Sequence, residues 1–288
     1  MGEPKTAQID VLVPTCDRPV ELATTLAGLA AQTDVPFRVL VSDQSEGPAS
    51  YATPAAETLI RALRMRGTAV ELHRHLPRRG IAEQRSFLLS LATAPAVLFL
   101  DDDVWLEPGV LHRLHAALRT LGCGFVAAAM QGLSHLDDRR HEECAPFEVW
   151  PGRVEPETIE KDGPAWARWT LGNAANGVHL AESLGLDVGA VPPPERWVAY
   201  KIAWAAGCVL FDRSALLDAG GFDFWQALPA DAHGEDVLAQ LRVMARHGGA
   251  GILPSGAYHQ QAPTTIPSRS TSAVDALLPA GRTRDRIS

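Results

Sequence analysis

The sequence predicts an α/β fold built on a mostly parallel central sheet covered by helices. Two observations carry this. Short apolar, β-branched runs alternate with helical segments through the first 100 residues, the spacing of strands joined by crossover helices. Three of those runs end abruptly in polar clusters, at residues 15–18, 42–45 and 101–103. In open α/β sheets, ligands bind outside the carboxyl ends of the strands, so the pattern alone predicts one site made from these three clusters.

The elements follow in order. Residues 8–13 (QIDVLV) read as the first strand, stopped by Pro14. A helix is expected over 19–31, with Pro19 in its first turn, Asp17 as its cap and apolar positions at Leu22, Leu26 and Leu29. Residues 37–41 (FRVLV) give a second strand, 54–66 a helix, 69–73 a strand and 81–92 a third helix. Residues 96–100 (AVLFL) are wholly apolar, as a strand buried on both faces should be, and run straight into Asp101, Asp102 and Asp103. A helix over 108–121 and a strand over 124–130 come next.

The texture then changes. Residues 131–200 are rich in Trp, Pro, Gly and charge and weak in periodicity, and read as an irregular insertion. Strand character returns at 203–211, followed by a short helix over 213–219 closed by Gly220 and Gly221. A helix over 234–247 carries Glu235 and Asp236 near its start, and a short strand at 251–253 precedes His259. From Ala262 onward the chain is polar and is expected to be a mobile arm. The organisation is thus one domain of two halves, 1–130 and 201–261, with an insertion at 131–200 and a tail at 262–288.

Composition excludes several classes. Hydrophobic residues make up 46% and charged residues 21% of the 288, which excludes disorder for the bulk of the chain. A formal charge of −8 argues against nucleic acid as a partner, since polyanion binders carry a basic field. The longest apolar runs, at 94–100 and 203–211, are too short to span a bilayer, and the first ten residues lack the basic start and apolar middle of a secretory signal. The four cysteines contain no CxxC pair, which argues against a disulfide framework or zinc site. A cytoplasmic setting is expected, with peripheral attachment at the inner membrane face left open. The excess of Arg over Lys, 23 to 3, is the composition of a GC-rich, bacterial-type genome.

The acidic triplet is the sharpest signal. Packed like charges raise each other's pKa and cost stability unless a cation intervenes. A divalent ion with oxygen preference provides one, and such ions commonly bridge to substrate phosphates. A dehalogenase-type phosphatase also begins with a strand and a DxD, but needs Thr or Val where Trp105 stands and places that strand first. The phosphate loop GxxxxGK[ST] and the dinucleotide fingerprint GxGxxG are both absent.

At these residues the chain resembles the family 2 glycosyltransferases of the GT-A fold, which move a sugar from a nucleotide-diphosphate donor. VLVPTCDR at 11–18 resembles the family's opening V-P-T-Y-N-R, and VSDQS at 41–45 its V-D-D-G-S. GIAEQRSFLLSLA at 80–92 resembles G-x-x-x-A-R-N-x-G-l-x-x-A, and Phe99 to Asp103 is the DxD element. Ala206-Gly207 through Gly220-Gly221-Phe222-Asp223 resembles the acceptor-side pattern, and GEDVLAQLR at 234–242 the G-E-D-x-x-L-x-x-R helix. The likeness runs from Ile9 to about His259 and leaves out the insertion.

The resemblance implies roles. Pro14, Thr15 and Arg18 line the nucleotide pocket, and Asp43 accepts a hydrogen bond from the base. Arg85 holds the donor end together by pairing with the acidic cluster or a phosphate, with Asp101 and Asp102 on the nucleotide-sugar, Asp102 facing the ribose. Asp103 binds Mn²⁺ or Mg²⁺ with His259 as a second ligand. Asp236 is the base that deprotonates the acceptor hydroxyl in an inverting transfer, with Glu235 its rival. A UDP-sugar is the first expectation for the donor, with GDP- and dTDP-sugars as alternatives. The acceptor is a hydroxyl on a glycan, a lipid-linked molecule or a small molecule, and the tryptophans of the insertion either stack on it or form a small core of their own.

Three departures stand out: Ser86 replaces the family Asn, Gln44 the Gly after Asp43, and Cys16 the usual aromatic. Two other readings share the architecture. A sugar-1-phosphate nucleotidyltransferase opens with a GxGxRxxP loop, which is missing here. A scaffold that binds nucleotide without turnover has no need of the full acid set.

Overall fold

The computed structural model describes residues 6–186, 196–265 and 270–278. Strands β1 (Ile9–Thr15), β2 (Phe37–Asp43), β3 (Val70–Arg74) and β4 (Ala96–Leu100) alternate with helices α1 (Pro19–Ala30), α2 (Pro54–Met65) and α3 (Ile81–Leu91). Then come β5 (Val104–Leu106), α4 (Val110–Leu121) and β6 (Phe125–Ala127). The insertion holds α5 (His141–Cys144), α6 (Gly177–Ser183) and β7 (Val198–Tyr200) among turns and 3₁₀ segments. The chain continues through β8 (Cys208–Asp212), α7 (Arg213–Asp218), α8 (Glu235–His247), β9 (Gly249–Leu253), β10 (Ala257–His259) and α9 (Ala273–Leu277).

Eight strands form one sheet in the order β3-β2-β1-β4-β8-β6-β9-β7. The first four are parallel, as their helical crossovers require. β8 enters antiparallel between β4 and β6, and β7 is antiparallel on β9. The two expected halves therefore share one sheet, joined through β8. Helices α1, α2 and α4 cover one face and α3, α7 and α8 the other, each with its own apolar cluster. Along β1 the alternation is direct: Ile9, Val11 and Val13 enter the first cluster and Leu12 the second.

Some expectations need correction. Asp17 does not cap α1; Arg18 holds the cap position without a side-chain bond, and Asp17 lies at a φ of 56°. The strand expected over 203–211 begins only at Cys208, because Gly207 takes a φ of 75° and breaks the extended run. β5 and β10 were not expected and form a separate two-stranded antiparallel ladder. The segment from Ala262, expected as a mobile arm, is in part packed chain. α9 buries Ala273 and Val274, and His233 and Ser272 form a bridge beside it. Residues 266–269 and 279–288 of that segment lie outside the described residues, as do the first five residues and 187–195 of the insertion.

Candidate active site

The carboxyl ends of β1, β2 and β4 open into a cleft of about 730 Å³, within the range of small-molecule sites. Thr15 and Arg18 reach it from the β1 loop, Arg85 from the first turns of α3 and the three aspartates from the end of β4. Glu235 and Asp236 stand at the first turn of α8, and His259 ends β10.

The acidic triplet is held from several sides. The Asp101 amide donates to Gly207 O at 2.9 Å, and Thr25 Oγ1 donates to Asp102 O at 2.7 Å. The Asp102 carboxylate accepts from Thr15 Oγ1 at 2.7 Å and Arg18 Nη1 at 3.0 Å. Burial pushes its pKa up to about 7, even though these two partners pull it down. The same Arg18 Nη1 lies 2.6 Å from Asp103 Oδ2, and His259 Nε2 lies 3.2 Å from that oxygen. Burial alone would raise Asp103; His259 and Arg18 together outweigh it and hold the carboxyl below its ordinary value. The hydrogen bond to Asp103 in turn raises the His259 pKa.

The β5–β10 ladder brings His259 to Asp103. Val104, the residue after Asp103, pairs with His259 in register, and Gln260 N donates to Asp103 O at 2.8 Å. Carboxylate and imidazole thus converge from two short strands. Among the described residues no cluster of three or more His, Cys, Asp or Glu side chains stands ready to hold a metal. Two protein donors facing an open cleft do fit a Mg²⁺- or Mn²⁺-type site, in which substrate phosphates and water complete the shell.

Arg85 joins the donor side to α8. Its Nη2 donates to Asp101 Oδ1 at 2.8 Å and its Nε to Glu235 Oε1 at 2.9 Å. Burial alone would lower its pKa; the carboxylates of Asp101, Glu235 and Asp236 outweigh that and raise it. Glu235 is therefore committed to an ion pair. Asp236, half-buried at the cleft wall, has no cation within ion-pair distance among the described residues. Burial, then the neighbouring Glu235 carboxylate, pushes its pKa well above the usual carboxylate range.

The sequence signature of glycosyl transferase family 2 matches residues 10–155, just over half of the 288. The chain belongs to glycosyl transferase family 2. Among solved structures, S. aureus TarS (residues 1–349) superimposes with a TM-score of 0.53 at 15% identity, over 88% of this chain and 60% of that one. The same protein in complex with UDP-GlcNAc gives 0.52 at 14% identity, over 90% and 60%. The chain thus spans 60% of the length of those TarS structures, and at these identities the likeness shows the shared GT-A-type fold. No curated protein matches the sequence.

For this family 2 chain, all but one of the expected site residues line the cleft. Asp43 is the exception. It is fully buried, and its two carboxylate oxygens accept from the amides of Ser45 (2.6 Å) and Ser50. The cleft also contains side chains given no role in the sequence reading: Gln44, Gln84, Met130, Trp204 and Asp231. The sequence puts Trp204 inside a strand over 203–211, so nothing there marks it as a site residue; the break at Gly207 takes it out of the strand and leaves it at the cleft. Of the insertion's tryptophans, Trp150 and Trp197 pack on the first core and Trp166 on the second. Trp169 remains 37% exposed and lies parallel to Trp204, ring centroids 6.3 Å apart.

Proposed function

We propose that the protein transfers a sugar from a nucleotide-diphosphate-sugar to an acceptor hydroxyl, with inversion at the anomeric carbon and Asp236 as the general base. Family membership supports glycosyl transfer. The single observation that carries the mechanism is the contrast between the two acids of α8: Glu235 is tied to Arg85, whereas Asp236 lines the cleft with a raised pKa. A carboxylate poised toward neutrality is suited to accept a proton as a hydroxyl attacks.

The donor occupies the β1–β4 side, where Thr15, Arg18 and the acidic cluster lie. Asp103 and His259 would hold Mn²⁺ or Mg²⁺ there, and such an ion would supply positive charge for the diphosphate leaving group. Arg85 keeps Asp101 and Glu235 in fixed positions on either side of the reaction centre. Met130, Trp204 and Ala206 wall the acceptor side beside Asp236. No described helix is long and apolar enough to cross a membrane.

The test is nucleoside-diphosphate release from UDP-, GDP- and dTDP-sugars in Mn²⁺ with a panel of glycan, lipid-linked and small hydroxyl acceptors. One donor should be turned over, the product should carry the inverted anomeric configuration by NMR, and Asp236→Asn should lower the rate by about 10²–10⁴. Full turnover by Asp236→Asn, or a retained configuration, removes Asp236 as the base.

A further inference from the structure

The family pattern has a glycine where this chain has Gln44, and the expected base-reading residue beside it, Asp43, is turned away from the cleft. Its two oxygens are occupied by the amides of Ser45 and Ser50. Gln44 does line the cleft, together with Thr15, Cys16, Arg78 and Gln84. Its backbone amide donates to Thr15 O at 3.0 Å, which fixes it against the β1 loop.

The Gln44 side chain is held by a second layer. Its Nε2 donates to Glu83 Oε2 at 3.3 Å. Glu83 is in turn bridged by His75 Nε2, at 2.8 and 3.0 Å from its two oxygens. The His75 ring stacks on Phe87 with centroids 3.9 Å apart and planes within 11°. A carboxylate only accepts, so Glu83 dictates which end of the amide turns inward. Reversing the amide would set its carbonyl oxygen against the Glu83 carboxylate, at an almost fully buried position. The carbonyl end is taken by no donor among the described residues.

We propose that Gln44 reads the donor's base, its carbonyl Oε1 accepting from the ring N–H of uracil, thymine or guanine. Cytosine and adenine carry an acceptor nitrogen at that position, so lone pair would face lone pair. The assignment rests on the nucleotide-sugar reading above and narrows it to one class of base. Gln44 is a specificity residue; Glu83 and His75 act through it as positioning residues. A glycine at position 44 would have no side chain for this contact.

Isothermal titration of the full chain with UDP, GDP, CDP and ADP in Mn²⁺ tests it. UDP or GDP should bind at least about tenfold tighter than CDP and ADP, the effect of one matched against one opposed hydrogen bond. Gln44→Leu should erase that preference while leaving CDP affinity within about twofold, because diphosphate contacts are untouched. Glu83→Gln keeps Gln44 but lets its amide reverse, and should also move the ratio toward one. This second variant decides the matter should Gln44→Leu fail to fold. CDP or ADP binding as tightly as UDP and GDP, or a preference that survives both variants, overturns the assignment. Binding of no nucleoside diphosphate at all overturns the proposed function itself, and this inference with it.

Discussion

Arg85 shows how single side chains can be confined by the site they serve. It is buried between Asp101 and Glu235, and truncating it would leave two carboxylates facing each other in a poorly hydrated space. Arg85→Met should therefore lower unfolding free energy by about 3–5 kcal/mol, measured by denaturant titration; a loss below about 1 kcal/mol, the range of exposed pairs, would mean that the network is solvated. Asp236 makes the opposite prediction. Its native pKa is raised, so the folded chain holds that proton more tightly than the unfolded chain does. The stability it contributes is full at pH below the ordinary carboxylate value and is lost as pH rises through the raised native value. Asp236→Asn removes that slope, so the variant should gain stability relative to wild type between pH 5 and pH 8. An equal difference at both pH values would contradict the raised pKa. The same titration should appear as an acid limb in the transfer rate, since the protonated base is inactive.

At the scale of elements, the site depends on how closely β5 is held. Gly28 of α1 packs on it so tightly that an added Cβ would lie 2.7 Å from the Leu106 amide nitrogen. Gly28→Ala must push β5 outward, and β10 with it, at a cost of about 1–3 kcal/mol. Because β5 and β10 bring His259 to Asp103, the variant should also weaken Mn²⁺ dependence more than it weakens nucleotide binding without metal. Equal effects on both would mean that the ladder does not position the pair. These two strands are also where sequence reading stops. β1, β2, β4, α3 and α8 carry enough period to be read, and their ends located the three loops of the site. Three-residue strands such as Ala257–His259 are too short to show alternation, and their pairing depends on contacts more than 150 positions away in the chain. Asp43 was legible as a carboxylate just past a strand, whereas the structure extends β2 through it; its capture by the Ser45 and Ser50 amides depends on how the following loop closes, which spacing does not encode.

For the whole molecule, the class of fold was legible because helices and strands alternate, whereas strand direction was not. Cys208–Asp212 is as apolar as a parallel strand, and only the sheet order reveals it running antiparallel between β4 and β6. That insertion of β8 joins the two halves and brings Asp236 opposite the acidic triplet across a single cleft. On the proposed function, this cleft binds a nucleoside diphosphate through a cation held by Asp103 and His259. Thermal unfolding with UDP, GDP, dTDP and CDP, each with and without Mn²⁺, tests it most directly, because a ligand that binds only the folded state raises Tm. The expected result is a Mn²⁺-dependent rise with at least one of UDP, GDP and dTDP, abolished in Asp103→Asn and retained in Asp236→Asn. No rise with any nucleotide, or a rise that Asp103→Asn leaves unchanged, would contradict it.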